Sequence, residues 1–232
     1  MTDQLVTISS PMPTCEAKAK PRWERRKDAR PKELLASALD IFVERGYAAS
    51  RLDDVAARAG VSKGTLYLYF ENKEELFKAV VRENLVSALT EAEDYVGQYS
   101  GSSAELLREV IMGWWKRVGA TKLSGITKLI MAESGNFPDV ARFYHEEVIS
   151  RSNALIIRML ERGIRNGEFR PIDTAHANLV IVAPVIVLMM WKHSFASCGL
   201  QAISAPDYLN CFLDLITHGL QATPAPSSPS LV

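Results

Sequence analysis

Cysteine is scarce in this chain: Cys15, Cys198 and Cys211 are the only three in 232 residues, and no two form a close pair. That spacing excludes a disulfide framework and a zinc ribbon, and it fits a reducing cytoplasm. An excess of either charge is also missing. Lys plus Arg number 27 and Asp plus Glu number 27, so no whole-molecule field draws the chain to nucleic acid. Residues 1–14 lack the long apolar core of a signal peptide. The main apolar run, Leu179 to Trp191, is interrupted by Pro184 and falls short of the roughly 20 residues of a spanning helix. It reads as a buried helix, and no membrane is expected. Nucleophile elbow, P-loop and dinucleotide fingerprint are all absent, which argues against an enzyme or a cofactor. His145-Glu146-Glu147 has Ile149 where a zinc-protease helix needs its second histidine, and His176 and His193 read as helix-end residues. No metal is expected.

What charge there is lies unevenly. Residues 18–32 hold Lys18, Lys20, Arg22, Arg25, Arg26, Lys27, Arg30 and Lys32 against Glu24 and Asp28. A basic arm of this kind lies along phosphates or enters a minor groove when a DNA-binding element follows it. The plain alternative is a solvated tail. Trp23, inside the arm, has no evident role.

The element that follows is the stretch Arg51 to Phe70, RLDDVAARAGVSKGTLYLYF. Ser50 is placed as the N-cap of a helix from Arg51, with Asp53 at N3 and the stripe Leu52, Val55, Ala56, Ala59 turned inward. Gly60 suits the left-handed stop, and Ser62 caps a second helix with Val61 and Leu66 as its hydrophobic staple. Two short helices about a tight turn make a helix-turn-helix, the second helix entering the major groove. Lys63 opens that helix, and Lys73 opens the next, capped by Asn72 with Glu75 at N3. Cations are mildly disfavoured at helix N-termini, and a docking phosphate relieves this; the bland alternative is a pair of exposed lysines. Upstream, Leu35, Ala38, Leu39 and Phe42 mark an amphipathic first helix, with Pro31 in its first turn and Gly46 at its stop.

The runs LASALDIFVERGY, DDVAARAGVSKGTLYLYF and ENKEELF resemble the DNA-binding domain of TetR-type transcriptional regulators, over residues 28–88 or so. The resemblance implies that Ser62, Lys63, Gly64, Thr65 and Tyr67 belong to the recognition helix and that Tyr69 and Lys73 touch the DNA backbone. Arg51 stands where many members have a small hydroxyl residue, which leaves the cap to Ser50 and offers a further phosphate contact.

Beyond residue 90 the helical period continues without hairpin signals, so the expected fold is all-α, about nine helices in all. The N-terminal three-helix helix-turn-helix domain is followed by a C-terminal helical domain for ligand sensing and dimerisation, as the resemblance implies. The expected divisions are a disordered basic arm (1–27), the DNA-binding domain (28–88), the effector-binding and dimerisation domain (89–221) and a disordered Pro/Ser tail (222–232). The last two helices are the dimer candidates, the second showing Tyr208, Phe212, Leu215 and Ile216 on one side. Met112, Trp114, Trp115, Phe137, Phe143, Tyr144 and Trp191 are the candidate pocket residues, against the plainer reading of aromatic core. The function expected is a homodimeric repressor on a palindromic double-stranded operator, released by a small apolar or aromatic effector. The alternatives are a ligand-independent architectural DNA binder and a helical interaction module.

Overall fold

Nine helices follow one another along the described residues, and strand pairing among them is limited to an isolated bridge between Phe169 and Gln221. The computed structural model describes residues 22–195, 198 and 203–222, excepting the side chains of residues 22–30. Helix α1 is Arg22–Ala49, α2 is Leu52–Arg58 and α3 is Lys63–Tyr67. Helix α4 starts as Lys73–Val81 and passes through a π turn at Arg82–Val86 into Ser87–Gln98. Helix α5 is Ser103–Trp114 with a π turn at Trp115–Gly119, and α6 is Ser124–Glu133. Helix α7 is Pro138–Tyr144, a π turn at His145–Ile149, then Ser150–Arg165. Helices α8 (Thr174–Ser194) and α9 (Ala205–Leu220) complete the bundle.

The first helix departs from expectation. It begins at Arg22, so residues 22–27 are helical rather than part of an arm, and Pro31 lies in the interior instead of the first turn. The residues from Trp23 to Arg30 include good helix formers and no breaker, which lets the helix extend upstream despite the bond that proline removes. The rest of the basic arm, Cys15, the Trp23 side chain, Ser197 and residues 223–232 lie outside what is described. Near its other end α1 kinks as glycine allows: Gly46 has φ 80° and ψ 172°, and residues 47–49 form a separate last turn that leads into α2.

One apolar core runs through the bundle. Phe42 and Phe77 are fully buried and meet edge to face at 5.3 Å, with Tyr47 stacked on Phe42 and edge-on to Phe77. Each such ring stabilises the fold by roughly 1.5–3 kcal/mol. The same cluster continues without a gap through Leu85, Leu89, Leu106, Ile126 and Met159. The helix-turn-helix therefore shares its core with the helices behind it. Helix α8 is 21 residues long and apolar enough, by length and composition, to pass for a membrane span. Its inner side, with Ile181, Val185, Leu188 and Met189, is buried in the bundle. Pro184 is accommodated inside it.

Candidate DNA interface and effector cavity

The helix-turn-helix is built from local signals plus a few long contacts. Ser62 Oγ accepts the Thr65 N–H at 3.1 Å and lies 2.9 Å from Thr65 Oγ1, and Gly60 makes the turn at φ 65°. Leu66 is buried, and Val61 and Phe70 pack on the same core. Ser50 is not the cap of α2. Its hydroxyl donates to the Gly46 carbonyl at 2.5 Å, and it is buried, because the break at Gly46 leaves that carbonyl unclaimed by the helix. Arg51 holds the cap position with its backbone carbonyl, makes no side-chain cap bond, and is exposed. Asp53 and Asp54 are bound elsewhere: Asp54 takes Arg45 at 2.6 Å, and Asp53 takes Lys63 at 2.9 Å.

The outward face of α3 is aromatic and apolar. Tyr67 and Tyr69 are exposed, and Leu68 between them is 83% exposed. Sequence reading passed over Leu68 because a leucine in a helical run is normally assigned inward. The signal was available: Leu66 and Phe70 already fill the inward positions. Lys63, also exposed, lies 5.9 Å from the Tyr67 ring centroid, and its bond to Asp53 raises its pKa. Gly64 leaves that surface smooth, with open space apart from Ser62 Oγ.

Lys73 lies differently. Asn72 does cap α4, accepting the Glu75 N–H at 2.9 Å. The Lys73 ammonium, however, donates to the carbonyls of Tyr47 at 2.7 Å and Ala48 at 3.2 Å and sits 4.4 Å over the Tyr47 ring. Burial lowers its pKa, with the charge of Glu133 opposing. It closes the end of α1 instead of projecting to solvent, since the last carbonyls of a helix lack most of their intrahelical donors; Tyr47 O accepts one further bond, from the Ser50 N–H at 3.3 Å.

Behind the DNA-binding helices lies a cavity of about 550 Å³, walled by α4, α5, α6, α7 and α8. Its size is that of a small-molecule site. The walls are largely apolar: Leu89, Ile111, Leu155, Ile156, Ile181, Val185 and Met189. Ala88 and Ala92, four apart on α4, leave the space open where larger residues would fill it. Polar groups are few. Thr127 Oγ1 and the Tyr144 hydroxyl are bonded at 3.2 Å deep inside, and burial raises the Tyr144 pKa. Two links join α4 and α5 at the cavity: Arg117 with Glu91 (2.7 Å through Nη2), and the Tyr95 hydroxyl with Glu109. The bond to Glu109 pushes the Tyr95 pKa to about 12. Arg117, Val148 and Ile149 of the lining lie in π turns, where the extra residue per turn redirects side chains.

Of the aromatic candidates, Trp114 and Tyr144 line this cavity. Met112, Trp115, Phe137, Phe143 and Trp191 do not. Trp115 turns back over Gly119, Phe137 packs 4.7 Å from Tyr47, and Phe143 lies under Arg82 at 4.9 Å. Trp191 meets Phe195 at 4.9 Å, and Met112 packs against the core. Aromatic content alone could not separate wall from filling, since both use apolar faces at helical spacing. The stripe Ile181, Val185, Met189 at four-residue spacing was the better signal.

Residues 34–80 match the profile of the family described as bacterial regulatory proteins, tetR family. The chain is 24% identical over 198 residues to the fatty acid metabolism regulator protein of Bacillus subtilis, covering 84% of this chain and 98% of that one. It is 47% identical over 75 residues to the HTH-type transcriptional activator FasR of Mycolicibacterium smegmatis, 31% of this chain and 32% of that one. The crystal structure of FadR from Bacillus subtilis in complex with stearoyl-CoA shares the fold, with a TM-score of 0.69 and 22% identity, over 82% of this chain and 99% of that one. These relatives are regulators, not enzymes.

Proposed function

The chain is a transcriptional regulator with the helix-turn-helix domain of the tetR family, and on that premise we propose that it is a homodimeric, effector-released repressor of a palindromic operator. The observation that carries this reading is the course of α4. It begins in the core of the DNA-binding domain with Leu76 and Phe77 and ends along the cavity with Ala88, Ala92 and Tyr95. An occupant of the cavity therefore bears on the same helix that packs against α1, and α1 in turn packs against α2 and through it α3.

Tyr67, Leu68, Thr65 and Gly64 face the bases, and Arg51, Ser62, Lys63 and Tyr69 the phosphates. The effector is a small apolar or aromatic molecule, in keeping with the lining. Stearoyl-CoA, named for the structural relative, has an apolar acyl chain that suits this lining and a charged CoA group that does not, so the free long-chain acid is tried beside it. Dimerisation uses α8 and α9. Leu179, Val180 and Val187 on α8 and Leu215 on α9 are each more than half exposed, and such a patch calls for a cover. Two copies of this helix pair form a four-helix contact and set the spacing of two recognition helices. The protein works in the cytoplasm, where its DNA lies.

Selection of duplexes from a random library by the wild-type protein tests the reading, followed by mobility shifts at moderate salt and sedimentation of the free protein. A palindromic consensus, a dimer and release by an apolar compound are expected. Absence of any enriched sequence sinks it. Transcription that rises with the regulator present makes it an activator.

A further inference from the structure

The two cavity walls α4 and α6 meet at one short piece of backbone. Glu133, the last residue of α6, accepts the N–H of Tyr47 and the N–H of Ala48, each at 2.8 Å. Lys73, the first residue of α4, donates to the carbonyls of the same two residues. The segment so held is the joint between α1 and α2. Gly46 lies on one side of it, Ser50 is tied back to Gly46, and the cap of α2 is Arg51. A void of about 10 Å³, room for one water, lies against Tyr47, Ile130, Glu133 and Phe137.

We infer that Glu133 is a positioning residue for DNA binding: it couples the cavity to the recognition helix by holding the Tyr47–Ala48 backbone. This rests on the reading of the cavity as an effector site. Thr127 and Met131, which line the cavity, precede Glu133 on the same helix by six and two residues, roughly 9 and 3 Å along its axis. An occupant that displaces α6 by about an ångström carries the carboxylate out of hydrogen-bond range of both amides, since such bonds fail beyond about 3.5 Å. The two N–H groups then have lost their acceptor, the joint keeps only the bonds from Lys73 to its carbonyls, and the pose of α2 and α3 relaxes. A charge-assisted pair of bonds to one backbone joint makes a stiff link, and α1 and α6 are already in close contact where Val43 crosses Gly125.

The test is a double-mutant cycle with a duplex selected by the wild type. Met131→Trp, at an exposed position of the cavity wall, and Thr127→Leu, deeper on the same helix, perturb α6 from the cavity side. Each is expected to weaken operator binding at least fivefold in the wild-type background and less than twofold in Glu133→Ala, where the link is already cut. Glu133→Gln, which keeps one acceptor, takes the place of Glu133→Ala if the latter does not fold. A purely structural Glu133 predicts additive losses, and additivity overturns the inference. Amide exchange of Tyr47 and Ala48 provides a reading without DNA, and both cavity-side variants are expected to speed it at least tenfold. If no duplex is enriched, the proposed function fails and exchange alone decides: unchanged exchange in both variants overturns the coupling, and faster exchange supports it.

Discussion

A Cβ placed on Gly46 would lie 2.5 Å from Glu133 Oε1, so the end of the first helix and the end of the sixth are fitted to each other through the absence of a side chain. Gly46 also has φ 80° and ψ 172°, a region open in practice only to glycine. Gly46→Ala is therefore expected to destabilise the protein by about 2–3 kcal/mol, from backbone strain plus displacement of Glu133. Chemical denaturation measures this. A loss under about 0.5 kcal/mol would mean that the joint relaxes freely.

Tyr67 and Leu68 project from α3 without supporting the core. Tyr67→Ala and Leu68→Ala should each weaken specific operator binding by about 1–3 kcal/mol and shift stability by less than about 0.5 kcal/mol. Binding isotherms and melting curves on the same samples separate the two effects. A comparable fall in stability would assign these side chains to packing.

Lys63 is held by Asp53 in an exposed pair, an arrangement worth little to stability. Asp53→Asn releases the ammonium and removes a negative charge from the interface. Affinity for any duplex should rise severalfold, and the slope of log affinity against log salt should steepen by up to about 1. A salt titration that overlays the wild type would show that Lys63 does not meet phosphate.

His193 is half-buried, with Nε2 2.8 Å from Ser124 Oγ. Burial first, then the ammonium groups of Lys192 and Lys128, lower its pKa from 6.5. A lowered histidine stays neutral in the fold while the unfolded chain takes up a proton, so its contribution is present above about pH 6.5 and lost as pH falls through the folded value. His193→Gln should consequently show a smaller drop in Tm between pH 7.5 and pH 5.5 than the wild type. An equal drop would place the acid sensitivity elsewhere.

The helix count, the caps at Ser62 and Asn72, the turn at Gly60 and the inward Leu66 were legible because each depends on residues within four positions along the chain. Ser50 was misassigned for the same reason in reverse. Its spacing suits a cap, but a carbonyl freed by the unusual dihedrals of Gly46 competes for the hydroxyl. Of the aromatic candidates Trp114 and Tyr144 line the cavity, whereas Trp115, Phe137, Phe143 and Trp191 lie elsewhere. An aromatic ring fills a core as readily as it lines a hole, and Ala88 and Ala92 open the hole by what they lack.

Local spacing was thus enough for an all-α chain with a helix-turn-helix, since periodicity and capping are properties of neighbouring residues. Packing alone assigned Lys73 to the end of α1, Glu133 to the joint 86 residues earlier in the chain, and the cavity to five helices. Those pairings depend on which helix crosses which, and no short-range pattern encodes a crossing. The same holds for charge: the chain is neutral as a whole, and the fold decides that Tyr67, Leu68 and Lys63, the side chains proposed to face DNA, are left exposed.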